Sequence, residues 1–416
     1  MKTISNILKG GVVMAALLSV TFCAKDPAGN GGANGGAPVE LTERANSFVV
    51  KSGSYVAFTP CMGNSEANAE MTAAGLVWQD TKSLVESVEA KDGKVVVKLS
   101  NKEGNAVVCA LNGADTTWSW NLWVTDAIIS DVTVNDSLTV MDRNIGALSA
   151  DAMDETSIGN VYQWGRKDAW PGAGYGTFLR KMYDINNNEI TRGHELLADD
   201  CKNNVAGAIA APNTVFYRKY VSGTTQKGNY SWVTNDYSAP EIANADSLWN
   251  NDFKSMYDPC PAGYQVAYSY TARDVAAENT AGKMAATMLI DSTYVAPETV
   301  TNSWSDSYYT RYSKQVQFRG GMYANLKFMV TGEITHEMKF STNTTVGGLS
   351  PKAVYWTAKL DPNFKTSASY LRAISMSQTA SGSGTGEAAT LKMNAITTTY
   401  LNLAYQLPVR CVRERK

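Results

Sequence analysis

The feature that most constrains the fold is a period-two alternation of apolar and polar side chains between residues 39 and 126. Val95, Val97 and Leu99 alternate with lysines, and Trp118 and Trp120 alternate with small polar residues. Such alternation is typical of strands with one buried face. The predicted strands are residues 47–51, 55–59, 76–79, 85–90, 94–99, 106–111 and 117–124. Short strands separated by glycine-containing turns predict a small β-sandwich of immunoglobulin-like type.

The first 23 residues have the pattern of an export signal. Lys2 and Lys9 supply a positively charged n-region before an apolar run at residues 12–22, which is too short to span a bilayer. Cleavage before Cys23 would leave its thiol acylated, and the glycine-rich residues 24–37 would then form a flexible tether. Phe22 stands where a lipoprotein signal usually has a small residue. Cleavage nearby by an ordinary signal peptidase is therefore the alternative.

The composition is typical of an exported protein and gives no sign that the protein binds nucleic acid. The formal net charge is only −2, which gives no electrostatic footprint for nucleic acid. Charged residues make up 18% of the chain, against 10 tryptophans, 21 tyrosines and 33 glycines, which favours a β-rich secreted protein. No later stretch is apolar enough for a transmembrane helix, so membrane attachment is predicted through the N-terminal lipid alone.

Export makes disulfide bonds possible. Pro259 and Pro261 fix the backbone on both sides of Cys260, which places this cysteine at a rigid corner. Its predicted partner is Cys411, and the bridge would close a loop of roughly 150 residues, worth about 4–5 kcal/mol in the chain-entropy model. Two separate buried thiols are the alternative.

The other cysteines fall in two places. Cys61 and Cys109 both lie within the predicted sandwich, and we expect them to pair. That pairing would leave Cys201 as a free thiol.

Five motifs in the second part of the chain carry a resemblance to a known family. They are MDRNIGA at 141–147, VYQWGRKDAWPG at 161–172, KSMYDPCPAGYQV at 254–266, AVYWTA at 353–358 and LPVRCVRE at 407–414. In this order they resemble the Fibrobacter-succinogenes-type major paralogous domain, which is found on exported surface proteins of the Bacteroidetes group. Residues 46–126 resemble the module that often precedes it there.

The resemblance implies a C-type-lectin-like fold, with mixed α+β structure, a sheet that joins the two chain ends, and long loops. We therefore expect a signal peptide at 1–23, a tether at 24–37, a β-sandwich domain at 38–126 and a C-type-lectin-like α+β domain at 127–416. The chain as a whole should be α+β and mostly β. Its best helix candidate is residues 270–286. Display at the cell surface, on the outer membrane, follows from the same resemblance.

No catalytic motif stands out in the sequence. His194 and His336 are the two histidines, and no HExxH, CxxC or Cys/His cluster exists. We expect a non-enzymatic protein without a cofactor. An enzyme is the less favoured alternative, because the C-type-lectin-like fold also hosts a cysteine-dependent oxidase of sulfatase residues. Cys411 or Cys201 would then be the reactive thiol.

One stretch has the spacing of a calcium loop. Asp184, Asn186 and Asn188 supply oxygen ligands at alternate positions, and Glu195 falls twelfth from Asp184. Glu189 occupies the sixth position, where such a loop needs glycine for its sharp turn. A β-hairpin turn at 186–188 is therefore favoured over Ca²⁺ binding.

Aromatic residues in polar stretches are the main interaction signal. Trp170, Trp232 and Tyr308 are the predicted ligand contacts, since an aromatic ring can stack on a sugar or fill a pocket on a surface protein. Trp164 is expected in the core, and residues 166–168 are expected to form a structural polar network.

These patterns predict a lipoprotein that binds a glycan or protein, as an adhesin or a fimbria-associated, tip-type subunit. A structural pilus-like subunit assembled by strand exchange is the alternative. Arg44 precedes the first predicted strand, and proteolysis there could open a groove for a donor strand.

Overall fold

The computed structural model describes residues 36–172, 179–219, 231–233, 248–268, 286–291, 317–323, 326–329, 333–334, 340–341, 352–360, 367–379, 390–393 and 397–415. Strands dominate these residues, which confirms a mostly β chain. Within them, no helix has both the length and the apolar character that crossing a membrane would require. Of the helix candidate at 270–286, only Ala286 is among the described residues, and it begins a strand.

The elements of the first part are β1 (Val39–Leu41), β2 (Ser47–Val50), β3 (Tyr55–Phe58), β4 (Ala73–Gln79), β5 (Val85–Lys91), β6 (Lys94–Leu99), β7 (Gly104–Asn112) and β8 (Asp115–Val124). Next come β9 (Asp131–Asn135), β10 (Leu138–Met141), a 3-10 helix (Glu155–Ile158), β11 (Asn160–Gln163), β12 (Trp170–Pro171), β13 (Met182–Tyr183), β14 (Glu189–Ile190), β15 (Gly193–Leu196), α1 (Val205–Ala210) and β16 (Thr214–Tyr217).

The remaining strands are β17 (Tyr264–Val266), β18 (Ala286–Asp291), β19 (Gln317–Tyr323), β20 (Leu326–Met329), β21 (Glu333–Ile334), β22 (Phe340–Ser341), β23 (Lys352–Leu360), β24 (Ser367–Thr379), β25 (Thr390–Met393), β26 (Thr397–Asn402), β27 (Gln406–Pro408) and β28 (Cys411–Arg413).

The first part is a two-layered arrangement of sheets. One sheet has the order β1-β3-β6-β5 and the other has the order β14-β13-β4-β7-β8-β2. All seven predicted strands are present, and β1 is an additional strand that pairs in parallel with β3. The core between the sheets contains Phe58, Val97, Val108, Trp118 and Trp120. The alternation in the sequence therefore predicted which side chains face this core.

The start and the end of the second part meet in one sheet, as the resemblance implied. Its order is β17-β28-β10-β9, and Val140 of β10 lies opposite Val412 of β28. The predicted disulfide is present, with Cys260 and Cys411 bonded at an S–S distance of 2.09 Å. It joins the corner before β17 to the last strand.

The larger sheet of the sandwich is buried on both of its faces. Trp123 lies on the face opposite Trp120, because residues an odd number apart on a strand alternate in direction. Trp78, Val107 and Trp123 belong to a second core, shared with Trp164, Trp170 and other side chains of the second part. The hairpin β13–β14 also extends this sheet, since Tyr183 pairs with Gln79 of β4. The two parts thus share a sheet and a core.

The expected bond between Cys61 and Cys109 is wrong, since both are free buried thiols. Cys109 lies on the same face of β7 as Val107, which belongs to the second core. The carbonyl of Cys61 accepts a hydrogen bond from Trp120 Nε1 (2.9 Å), which belongs to the core on the other side. The two cysteines therefore lie on opposite sides of the sheet. Cys201 is free, as expected, and half-buried.

Candidate functional site

Two of the predicted ligand contacts are buried and cannot form a binding platform. Trp170 is 0% exposed and Trp232 is 1% exposed. The Arg166 guanidinium lies 4.7 Å from the Trp170 ring centre, and Trp232 Nε1 donates to the carbonyl of Trp164 at 2.8 Å. Both rings therefore pack inside the second core, and their prediction as ligand contacts is wrong. Tyr308 lies outside the described residues.

Residues 166–168 form the structural polar network that the sequence predicted. Asp168 accepts hydrogen bonds from Arg166 Nη2 (3.0 Å) and Lys167 Nζ (2.6 Å), and Ser119 of β8 donates to the same carboxylate at 2.6 Å. All of these side chains are buried. Burial raises the pKa of Asp168, but the adjacent Lys167 and Arg166 lower it more, so it stays below its ordinary value. The network ties the second part to the sandwich.

The calcium candidate is a hairpin turn between β13 and β14. Asp184 Oδ1 accepts hydrogen bonds from the backbone amides of Asn186 and Asn188, both at 2.8 Å. Asp184 Oδ2 accepts the side-chain amide of Asn188 at 2.9 Å, and Asn187 takes the left-handed conformation that such a turn needs (φ 65°). These bonds lower the pKa of Asp184. The carboxylate therefore closes the turn, and Glu195 lies away on β15.

A surface candidate lies on a parallel ribbon that the sequence did not reveal. Strands β15 and β16 pair from Gly193 opposite Thr214 to Leu196 opposite Tyr217. Phe216 is buried, and its carbonyl accepts a hydrogen bond from Gln163 Nε2 at 2.7 Å. The inner strand of the ribbon is thereby fixed to the second core.

Two aromatic rings stack on the face of this ribbon that carries the exposed side chains of β15 at positions 194 and 196. The rings of His194 and Tyr217 lie 4.3 Å apart and are nearly parallel, at 9°. His194 is exposed and Tyr217 is half-buried. Leu196 is two residues from His194, so it shares this face, and it is 39% exposed. We call His194, Leu196 and Tyr217 the ribbon patch.

Arg192 stands immediately before the first strand of the ribbon, and its partners among the described residues are uncharged. It donates to the carbonyl of Pro171 at 2.7 Å and to Gln406 Oε1, and its guanidinium lies 5.6 Å from the Trp170 ring centre. Its Nε is buried and has no hydrogen-bond acceptor in the described part of the chain. Burial alone lowers the pKa of Arg192 to about 9. Among the described residues, no carboxylate lies within ion-pair distance of it.

Comparison of the chain with protein-family models, with curated protein sequences and with solved structures found no match in any of the three. The family resemblance therefore stays a prediction, and no residue role is carried over from a relative. The ribbon patch rests on geometry alone. It combines a flat aromatic surface and an apolar side chain on paired backbone.

Proposed function

We propose that this protein is a non-enzymatic lipoprotein of the outer membrane that binds a glycan at the cell surface, as an adhesin or a fimbria-associated subunit. The observation that carries the binding function is the stack of the exposed His194 ring on the half-buried Tyr217 ring, on a paired ribbon. The attachment to the membrane rests on the sequence, through Cys23 and the glycine-rich tether at 24–37.

A stacked pair of rings suits a sugar better than most ligands. Sugar rings present a face of C–H groups that can lie flat on an aromatic ring, while their hydroxyl groups stay in water or bond to nearby polar groups. Stacking on His194 limits the movement of the Tyr217 ring, so little conformational entropy is lost on binding. Leu196 widens the apolar surface by one side chain. A protein ligand is the competing occupant of the same patch.

The test is a glycan array with the detergent-solubilised full chain and with Tyr217→Ala. We expect specific binding that Tyr217→Ala abolishes, because the substitution removes half of the stack. Phe253→Ala is the matched control, since Phe253 is 56% exposed on a different loop. Binding that survives Tyr217→Ala would count against the ribbon patch. If the folded wild-type protein binds no glycan, the result would favour protein–protein assembly as its function.

An enzyme is not proposed, because Cys411, one of the two cysteines that could supply a reactive thiol, forms a disulfide bond. Cys411 is bonded to Cys260, and both are fully buried. Cys201 is half-buried, with its carbonyl accepting a hydrogen bond from Arg218.

The strand-exchange alternative keeps one specific observation in its favour. Strand β1 has three residues, pairs with β3 alone among the described strands, and lies N-terminal to Arg44. Leu41 is the one side chain of β1 in the sandwich core, and Arg44 is exposed, paired with Glu66 at 3.1 Å. Cleavage after Arg44 would cut β1 from the chain and free the edge of β3 for a donor strand. Intact mass of surface-extracted protein tests this idea, and an N-terminus still at Cys23 excludes it.

A further inference from the structure

A group of buried polar atoms lies where the larger sheet of the sandwich meets the second part. Asn121 and Trp123 of β8 are at most 2% exposed, and both are on the face of that sheet that is turned toward the second core. Tyr162 of β11 belongs to the same core and is 0% exposed. Within the described part of the chain, four atoms of these side chains have no hydrogen-bond partner. They are both amide atoms of Asn121, Trp123 Nε1 and the Tyr162 hydroxyl.

Strand pairing places these side chains close together. Ser47 of β2 lies opposite Asn121, so the two side chains leave the same face of the sheet about 5 Å apart. Burial raises the pKa of Tyr162, and the side chains of Asn160 and Ser47 lie close enough to its hydroxyl to oppose that rise. Neither side chain completes a hydrogen bond with the hydroxyl. The Tyr162 hydroxyl therefore lies beside Ser47 and near Asn121, with its hydrogen-bonding capacity unused.

The chemistry of the four atoms indicates what they can bind. Trp123 Nε1 is a donor only, the Asn121 amide offers donors and an acceptor, and the Tyr162 hydroxyl can donate or accept. Such N–H donors do not suit a cation, and the nearby carboxylates of Asp168 and Asp258 disfavour an anion. Unsatisfied polar atoms in a protein interior are costly, and a water molecule with two to four polar partners commonly removes that cost. Water is therefore the ligand that this group of atoms fits.

We propose that internal water molecules bind between Asn121, Trp123 and Tyr162 and thereby hydrogen-bond the sandwich to the second part. This inference does not depend on the proposed glycan-binding function. A water that donates to Asn121 Oδ1 and accepts the Tyr162 hydroxyl links β8 to β11. The neighbouring link across the same interface is direct, since Asn160 Nδ2 donates to Asn105 Oδ1 at 3.1 Å, and Asn105 lies opposite Trp123. The waters extend that direct link along β8.

The first test is the sign of a stability change in the detergent-solubilised full chain. Tyr162→Phe removes only the hydroxyl group. If that hydroxyl binds water, urea unfolding should show the equilibrium constant for unfolding rising about fivefold, because a hydrogen bond contributes about that much net. If the hydroxyl is unsatisfied, its removal should leave the constant unchanged or lower it. Tyr55→Phe is the matched control, since Tyr55 is half-buried on β3, and it should change little.

The second test asks whether Asn121 and Tyr162 share a ligand. The two side chains make no hydrogen bond with each other in the described structure, so coupling between them has to pass through the water. Combining Tyr162→Phe with Asn121→Leu should therefore raise the unfolding constant by less than the product of the two single effects, since the shared water is lost only once. Independent effects of the two substitutions would overturn the inference.

A high-resolution crystal structure of the wild-type full chain tests the site directly, even if a variant fails to fold. We expect ordered water within about 3.2 Å of both the Tyr162 hydroxyl and the Asn121 amide. Well-defined side-chain density without such a water would overturn the inference. An unchanged or lowered unfolding constant in Tyr162→Phe would overturn it as well.

Discussion

At the scale of single residues, Asp168 is the group on which the buried charges depend. It balances Arg166 and Lys167, and all three side chains are at most 3% exposed. Removing one member of a buried ion pair leaves an uncompensated charge, which typically costs 3–5 kcal/mol. Asp168→Asn leaves two such cations.

We therefore predict that Asp168→Asn lowers the free energy of unfolding by about 3–5 kcal/mol. Urea unfolding followed by tryptophan fluorescence measures this loss. Lys181→Met is the control, because it breaks an ion pair with Glu189 whose side chains are 62% and 53% exposed. Such an exposed pair contributes less than about 1 kcal/mol. Equal losses in the two variants would contradict the structural role of Asp168.

The stability that the Asp168 carboxylate contributes should depend on pH. Its pKa in the folded chain lies below the ordinary value, because Lys167 and Arg166 outweigh the effect of burial. In the unfolded chain it is near 3.9. A group with a depressed folded pKa stabilises above its unfolded pKa and loses that stabilisation as the pH falls through the folded pKa. The difference in unfolding free energy between wild type and Asp168→Asn should therefore have its full size above about pH 5. It should become smaller as the pH falls below about 4. A constant difference down to pH 2 would contradict this.

These charged residues also explain why Trp170 was wrongly predicted to be exposed. Trp170 follows Arg166, Lys167 and Asp168, and such a charged run is typical of a solvated loop. In the structure the charges neutralise one another inside the core, with Lys167 4.5 Å from the Trp118 ring centre. The sequence predicted the polar network but not that it would cover its aromatic neighbours. That outcome depends on Ser119 and Trp118, which approach from the sandwich.

At the scale of elements, the disulfide holds the corner before β17 to the last strand. Its cysteines are 151 residues apart, so the bond restricts a long loop in the unfolded chain. Lys254 independently holds the same corner, since its Nζ donates to the carbonyls of Cys260 (2.7 Å) and Tyr264 (2.5 Å). Asp258 neutralises Lys254 at 3.2 Å. The corner should therefore keep its shape without the bond.

We predict that the double variant Cys260→Ala/Cys411→Ala folds but loses about 4–5 kcal/mol of unfolding free energy. Urea unfolding with and without reductant measures this. Reductant should shift the wild-type midpoint and leave that of the double variant unchanged. Cys201→Ala is the control and should respond to reductant as the wild type does. A wild-type midpoint that ignores a reductant strong enough to break the bond would contradict the prediction.

Elements built from local patterns were predictable, and those built from distant pairing were not. Strand β6 was predicted with its exact bounds, because Val95, Val97 and Leu99 alternate within it. The ribbon β15–β16 has no such signal, since its strands are short and pair in parallel across the intervening helix α1. His194 and Tyr217 become neighbours only through that pairing. The candidate site therefore required the structure.

At the scale of the whole molecule, hydrogen bonds join the sandwich to the second part, in addition to the core that the two parts share. Asn46 Nδ2 donates to the carbonyls of Met256 (2.8 Å) and Asp258 (2.9 Å), and Asn46 Oδ1 accepts Trp118 Nε1 at 2.9 Å. Trp78 Nε1 donates to the carbonyl of Ala169 at 3.1 Å. An isolated sandwich would expose these groups and the outer face that carries Trp78. The two parts should therefore unfold together.

We predict that Asn46→Ala lowers the stability of both parts at once. The change leaves two carbonyls and the Trp118 indole without partners, at about 1–3 kcal/mol for each buried group that water cannot reach. Near-ultraviolet circular dichroism follows aromatic packing in both cores, and far-ultraviolet circular dichroism follows the sheets. Because the parts share one sheet and one core, both signals should show a single transition with the same, lower urea midpoint. Ser137→Ala, in the exposed β9–β10 turn, is the control and should leave the midpoint near that of the wild type. Two separate transitions, with only one of them displaced by Asn46→Ala, would mean that the sandwich folds on its own.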